Sequence, residues 1–151
     1  MNHWKFLFLT GEFAPREHIL KGLTLEQVST RPAGAPHSIF EELWHAASWQ
    51  KLTLDQDSIA LKRLETGGQF SERSEPESQA EWDDLVAMFL AYSERAAQLA
   101  EDEAWLESPA TEHNTWRVEL ECLAVHNAYH MGKIVLLRQM MGIWEPASDD
   151  A

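Results

Sequence analysis

Two histidines, His126 and His130, lie four residues apart in a segment that the sequence predicts to be helical. At 3.6 residues per turn, this spacing places both imidazoles on one helix face, with Cβ atoms roughly 6 Å apart. Such a pair can chelate one divalent metal ion, although the glutamate of the His-Glu-x-x-His protease motif is absent. The alternative is a chance spacing of two surface histidines, since the chain holds seven. Two ligands do not complete a site, so a third is required.

The candidate third ligand is His45. It lies in another predicted helix, where Glu41 and Glu42 precede it by one turn and Trp49 and Leu52 follow by one turn. The apolar neighbours predict that this face is at least partly buried. One interpretation is a core histidine hydrogen-bonded to one of the two carboxylates. The other is a metal ligand that Glu41 or Glu42 orients, and either carboxylate is then also the candidate catalytic base.

The single cysteine, Cys122, precedes His126 by four residues and is a tempting further ligand. It is, however, eight residues from His130, or about 12 Å along a helix axis. One ion does not easily bind both ends of that span, so we predict that Cys122 is a small packing residue. The remaining histidines are predicted to be solvated or capping residues: His3, His18, His37 and His113.

Helix signals divide the chain into four helices, with no convincing strand. The first is predicted within residues 4–22, and a second part of it can begin at Pro15. The second is predicted over residues 38–65, and a polar connection follows over 69–77. The third opens at Ser78, and the fourth spans residues 115–141. Ser38 and Ser78 each precede a glutamate by three residues, which is the pattern of a capping box. Four helices with modest loops favour an all-α bundle, in which metals are held between facing helices.

Composition narrows the classes of partner. The chain has 151 residues, and we expect one domain over residues 1–151. Its formal net charge of −13 disfavours nucleic acid and membrane surfaces as partners. The lone cysteine fits a reducing compartment. We expect a cytoplasmic protein, since the N-terminus lacks a basic leader and no stretch reaches the roughly 20 apolar residues of a membrane span.

Two stretches make the sequence recognisable. Residues 36–50 contain His37-Ser38-Ile39 followed by Glu41-Glu42-Leu43, His45 and Trp49. Residues 124–139 contain His126, His130, Gly132-Lys133-Ile134 and Arg138. Both stretches resemble the motifs of the DinB-like family, in the same order along the chain. The N-terminal part departs from the family: Glu12-Phe13-Ala14-Pro15 stands where many relatives have a Trp-His-Gly element.

The resemblance implies a four-helix bundle with a long crossover connection. It also implies that His45, His126 and His130 bind a divalent metal and that the protein is a homodimer. Family members with a known reaction include metal-dependent transferases and isomerases that use a low-molecular-weight thiol. Many others have no assigned reaction.

Three imidazoles on one ion leave a coordination position open, which is typical of catalytic rather than structural zinc. Zinc or nickel is the expected ion, and iron also accepts imidazole. The open position lowers the pKa of a bound water or thiol and so supports nucleophilic chemistry at neutral pH. Our first hypothesis is therefore an enzyme acting on a small-molecule substrate, with a thiol cosubstrate. The second is a non-catalytic bundle in which metal or histidines brace the helices, serve sensing or support dimerisation.

Overall fold

The computed structural model describes residues 1–148, and these contain helices and loops but no β-strand. In chain order the elements are α1 (His3–Lys5), a π-helical turn (Phe6–Thr10), α2 (Arg16–Leu20), α3 (Leu25–Ser29), α4 (Ile39–Asp55), α5 (Ser58–Thr66), α6 (Gln79–Leu99), α7 (Glu103–Leu106) and α8 (Trp116–Met140). The predicted all-α class is confirmed. The three long helices and the segmented stretch before residue 21 form the bundle.

The predicted helix starts rest on side-chain caps. The Ser38 hydroxyl accepts from the Glu41 amide over 3.2 Å, while the Glu41 carboxylate accepts from the Ser38 amide over 3.0 Å. This reciprocal box satisfies two amides that an isolated helix leaves unpaired. At α6 the Ser78 hydroxyl likewise accepts from the Glu81 amide. The Glu81 carboxylate, however, accepts from Arg73 and from the Glu77 amide and not from the Ser78 amide. The capping box predicted at Ser78 is therefore only half formed.

The first predicted helix is divided. After the π-helical turn, the chain leaves the helix at Gly11, whose φ of 62° lies in the left-handed region that glycine adopts without strain. A Cβ at Gly11 would also lie 2.9 Å from the Ala14 carbonyl oxygen, closer than atoms tolerate. A new helix, α2, begins after Pro15, where the sequence predicted that one could start.

The second predicted helix, over residues 38–65, is two helices. α4 ends at Asp55 because Gln56 adopts a left-handed conformation, with φ 53°. Asp57 then caps α5 by accepting from the Ala60 amide over 3.0 Å. The prediction of one continuous helix was wrong, because the left-handed Gln56 ends α4 and Asp57 starts a separate helix.

The direction of α4 relative to α6 follows from two contacts. The Gln50 amide donates to the Phe89 carbonyl over 2.9 Å, and Asp55 accepts from the Tyr92 hydroxyl over 2.8 Å. Residue numbers rise together along both helices, so α4 and α6 are parallel. Residues 56–78 must therefore carry the chain back along the bundle, which is the expected long crossover.

The contacts between α4 and α8 run the opposite way. Glu42 meets His130, whereas His45, further along α4, meets His126, which is earlier on α8. The two helices are antiparallel. None of the helices within residues 1–148 is both long and apolar enough to cross a membrane.

Candidate metal centre

Helices α4 and α8 bring the three predicted histidines together. One ring nitrogen of each lies within 4.8 Å of a ring nitrogen of the other two. The His45 and His126 Nε2 atoms are 3.0 Å apart, and the His130 ring centroid lies 4.6 Å from each of the other two ring centroids. His45 and His130 are buried, and His126 is half-buried. The histidine pair predicted from its spacing on one helix and the third histidine predicted on another therefore form one cluster.

Hydrogen bonds on the far side of two rings determine which nitrogen carries the proton. The His45 Nδ1 lies 2.5 Å from the Gln69 carbonyl oxygen, and the His130 Nδ1 lies 2.6 Å from Glu42 Oε2. Both acceptors lack a proton to give, so each Nδ1 must be the donor. The Nε2 of each neutral ring then keeps its lone pair. This is the arrangement of metal-binding histidines, whose second ring nitrogen donates to a carbonyl or carboxylate.

The separation of one pair of ring nitrogens is close to that of two ligands on a small divalent ion. Metal–nitrogen bonds of about 2.0–2.1 Å at a tetrahedral angle separate two ligand nitrogens by about 3.3 Å. The 3.0 Å between the His45 and His126 Nε2 atoms is close to that separation. The His126 Nδ1 is buried and has no hydrogen-bond partner among residues 1–148. Without an ion, the His126 Nε2–H therefore donates to the His45 Nε2 lone pair, and this proton must leave Nε2 for an ion to bind there.

Burial and the neighbouring imidazoles favour the neutral forms of His45 and His126. Burial lowers the pKa of His126 to about 4, and the neighbouring His130 and His45 add to the effect. Burial also lowers the pKa of His45, against the opposing effect of its hydrogen bond to Gln69. Metal ligation needs neutral imidazoles, so both shifts favour ligation at neutral pH.

The two candidate carboxylates have different surroundings. Burial alone would raise the pKa of Glu42, but its hydrogen bond to His130 and the nearby Lys133 ammonium produce a net lowering. Glu42 therefore stays ionised beside the cluster. The Glu41 carboxylate is occupied by the helix cap and by Arg31, whose Nε lies 2.7 Å from Glu41 Oε1. Glu42 thus contacts a cluster histidine, whereas Glu41 stabilises the start of α4.

Sequence reasoning missed the role of residues 69 and 70. Besides the Gln69 carbonyl, the Phe70 ring stacks on His45 with a centroid separation of 4.5 Å and on His37 with one of 3.7 Å. His37 is not simply solvated, because its Nδ1 lies 3.4 Å from Glu42 Oε1. Phe70 is the one aromatic residue in the polar connection over residues 69–77. An apolar ring in such a segment indicates a buried contact, and this was the sequence feature that could have predicted its role.

The cluster opens onto a cleft of about 360 Å³, which His45, His126, Trp49 and Leu123 line. His130 does not line it. Cys122 is exposed and lies on the wall of this cleft, so the prediction of a packing cysteine was wrong. The position of residue 122 on the outer side of α8 places it near the rim rather than in the core.

An all-α bundle with a histidine cluster between an antiparallel pair of helices defines the class of protein. Comparison with known families agrees: a model of the DinB superfamily matches residues 16–134, most of the chain. The chain therefore belongs to the DinB superfamily. No curated protein and no solved structure matches it closely enough to add to this assignment.

Proposed function

We propose that the protein is a metal-dependent enzyme that acts on a small molecule, with a low-molecular-weight thiol as cosubstrate. The observation that carries the proposal is the histidine cluster at the base of a cleft, with two of its three rings on the cleft wall. An ion held by His45, His126 and His130 supplies a Lewis acid that favours the ionised form of a bound thiol. Zinc or nickel fits three imidazoles, as does iron.

The residues around the cluster have separable roles in this proposal. Glu42 and the Gln69 carbonyl hold two rings with their Nε2 lone pairs directed inward. Trp49 and Leu123 provide apolar walls that exclude water from the reacting atoms. Glu42 is itself buried and hydrogen-bonded to His130, so we assign it a positioning role.

The alternative, a metal that only braces the helices, is less well supported because the brace already exists. Asn127 on α8 donates to the Gln50 side chain on α4 over 2.8 Å, and both residues are buried. This bond joins α4 and α8 beside the histidines without an ion. An ion that served only as a brace would not need the open face that the cleft gives to two of the three rings.

The test combines metal content with activity. Purified protein is assayed for bound metal by mass spectrometry, and then for turnover with thiols and small electrophiles, with and without chelator. We expect about one ion per chain and turnover that chelator abolishes. His45→Ala should lose both, while His3→Ala, at an exposed histidine of α1 that does not line the cleft, should keep both. Stoichiometric metal with a stability loss on chelation and no turnover would favour the brace instead.

A further inference from the structure

The cleft beside the histidines continues into a second cleft. This second cleft, of about 700 Å³, adjoins it and shares three lining residues with it: Trp49, Thr53 and Glu119. The two clefts form one groove, which runs from His126 along α8 towards its first turn and the loop around Asn114. A ligand whose reactive atom lies at the histidines would therefore extend past Glu119.

The charged side chains that line this groove are all acidic. Among the described residues that line either cleft, none is Lys or Arg, and the charged ones are Glu119 and Glu65. Glu119 Oε1 accepts from the Asn114 side-chain amide over 2.7 Å, which fixes the carboxylate while a second oxygen remains for a ligand. Recognition of carboxylate or phosphate normally uses Arg or Lys, and neither is present here. The net charge of −13 adds to the repulsion of anions.

The spacing along α8 sets a length for the ligand. Glu119 and His126 are seven residues apart, which is two turns and about 10 Å on the same helix face. Trp49 lines both clefts, so an apolar or cationic ligand body can pack on its ring.

We propose that the thiol cosubstrate of this site carries a positive charge roughly 10 Å from its sulfur, with Glu119 as the residue that selects it. This inference rests on the proposed function. An extended thiol with a terminal amine fits the groove, a neutral one fits less well, and one with a terminal carboxylate is rejected.

The test uses three thiols of equal length that differ only at the far end: 6-aminohexane-1-thiol, 6-mercaptohexan-1-ol and 6-mercaptohexanoic acid. The distant group leaves the acidity of the thiol nearly unchanged, so differences in binding report on the groove. Protein loaded with Co²⁺ is titrated with each thiol, and binding is read from the sulfur-to-cobalt charge-transfer absorbance. This readout is an equilibrium affinity and needs no catalytic turnover.

We expect the amine to bind about five- to tenfold more tightly than the acid, as one partly exposed carboxylate would produce. The preference should shrink in Glu119→Gln, which can still bond Asn114, and at high salt. Glu121→Gln, on the same helix but outside the groove lining, should keep it. Equal binding of amine and acid, or an undiminished preference in Glu119→Gln, would overturn this inference alone. Absence of the absorbance with all three thiols would instead overturn the proposed function, and this inference with it.

Discussion

The Glu42 carboxylate lies 2.6 Å from Nδ1 of His130, and both side chains are buried. Glu42 is also within 3.6 Å of the Lys133 ammonium and 3.4 Å of His37 Nδ1. The Glu42 carboxylate thus connects α4, which carries His45, with α8, which carries His126 and His130. By accepting from Nδ1, this carboxylate fixes the orientation of the His130 ring and leaves the Nε2 lone pair for a ligand.

Glu42→Gln should lower metal affinity by about 10- to 100-fold, the usual effect of removing a carboxylate that orients a histidine ligand. The measurement is a competition titration with a chromophoric zinc chelator. The matched control is Glu41→Gln, one residue earlier. It removes the charge that pairs with Arg31 while its amide oxygen can still close the α4 capping box, so it should lower the free energy of unfolding by about 1 kcal/mol or less and change metal affinity little. Equal losses of metal affinity in the two variants would contradict the distinct roles.

The metal-free protein should lose stability on acidification below about pH 6.5. The ordinary His pKa applies to the unfolded chain, whereas burial and the neighbouring histidines lower the pKa of folded His126 to about 4. Between these values the unfolded chain binds a proton that the folded one does not, so stability is complete above the window and falls through it as pH falls. His45 shifts in the same direction.

Urea midpoints at pH 7 and pH 5, in the presence of chelator, measure this effect. His126→Gln should lose less stability over the interval than the parent protein, because Gln does not titrate. The explanation fails if the two proteins lose the same amount.

Gln50 joins three helices in the buried interior. Its amide donates to the Phe89 carbonyl of α6 over 2.9 Å, and its carbonyl accepts from Asn127 of α8 over 2.8 Å. Gln50→Leu leaves the buried Asn127 amide unpaired and should cost roughly 1–3 kcal/mol of unfolding free energy. Adding Asn127→Leu should recover part of that cost, since both polar partners are then gone. Chemical denaturation of the single and double variants tests this, and additive losses would argue against the pairing.

The exposure of Cys122 gives a direct check on the cleft. Iodoacetamide should modify this thiol completely in the folded protein without denaturant, because the side chain is exposed on the cleft wall. A thiol ligand that fills the cleft should slow the modification. The readout is intact mass against time. A thiol that reacts only after urea is added would return Cys122 to the packing role that sequence predicted.

Local patterns predicted most of the fold. The α4 cap is complete within four residues of Ser38, and the spacing of His126 and His130 depends only on helical geometry. The parallel pairing of α4 with α6 is not local, and only the resemblance to a family supplied the crossover. The break at Gln56 was missed because neither glycine nor proline marks it, although Asp57 is a plausible N-cap.

The site was predictable to the level of its three rings, but not of their partners. Glu41 and Glu42 lie one turn before His45 and looked equivalent as its partners. In the structure Glu42 faces α8 and bonds His130, while Glu41 faces Arg31. Which carboxylate faces which helix depends on the position of α8, 88 residues away in sequence, and no local pattern contains that information.

Gln69 contributes to the centre through its main chain and to the cleft through its position on the wall. Every amino acid has the carbonyl that holds His45, so replacing the side chain at 69 does not remove this hydrogen bond. Single substitutions at this position would therefore change the cleft wall while the three histidines and their hydrogen bonds stay in place. An insertion or deletion in the preceding turn would instead move the Gln69 carbonyl and so remove its hydrogen bond to His45.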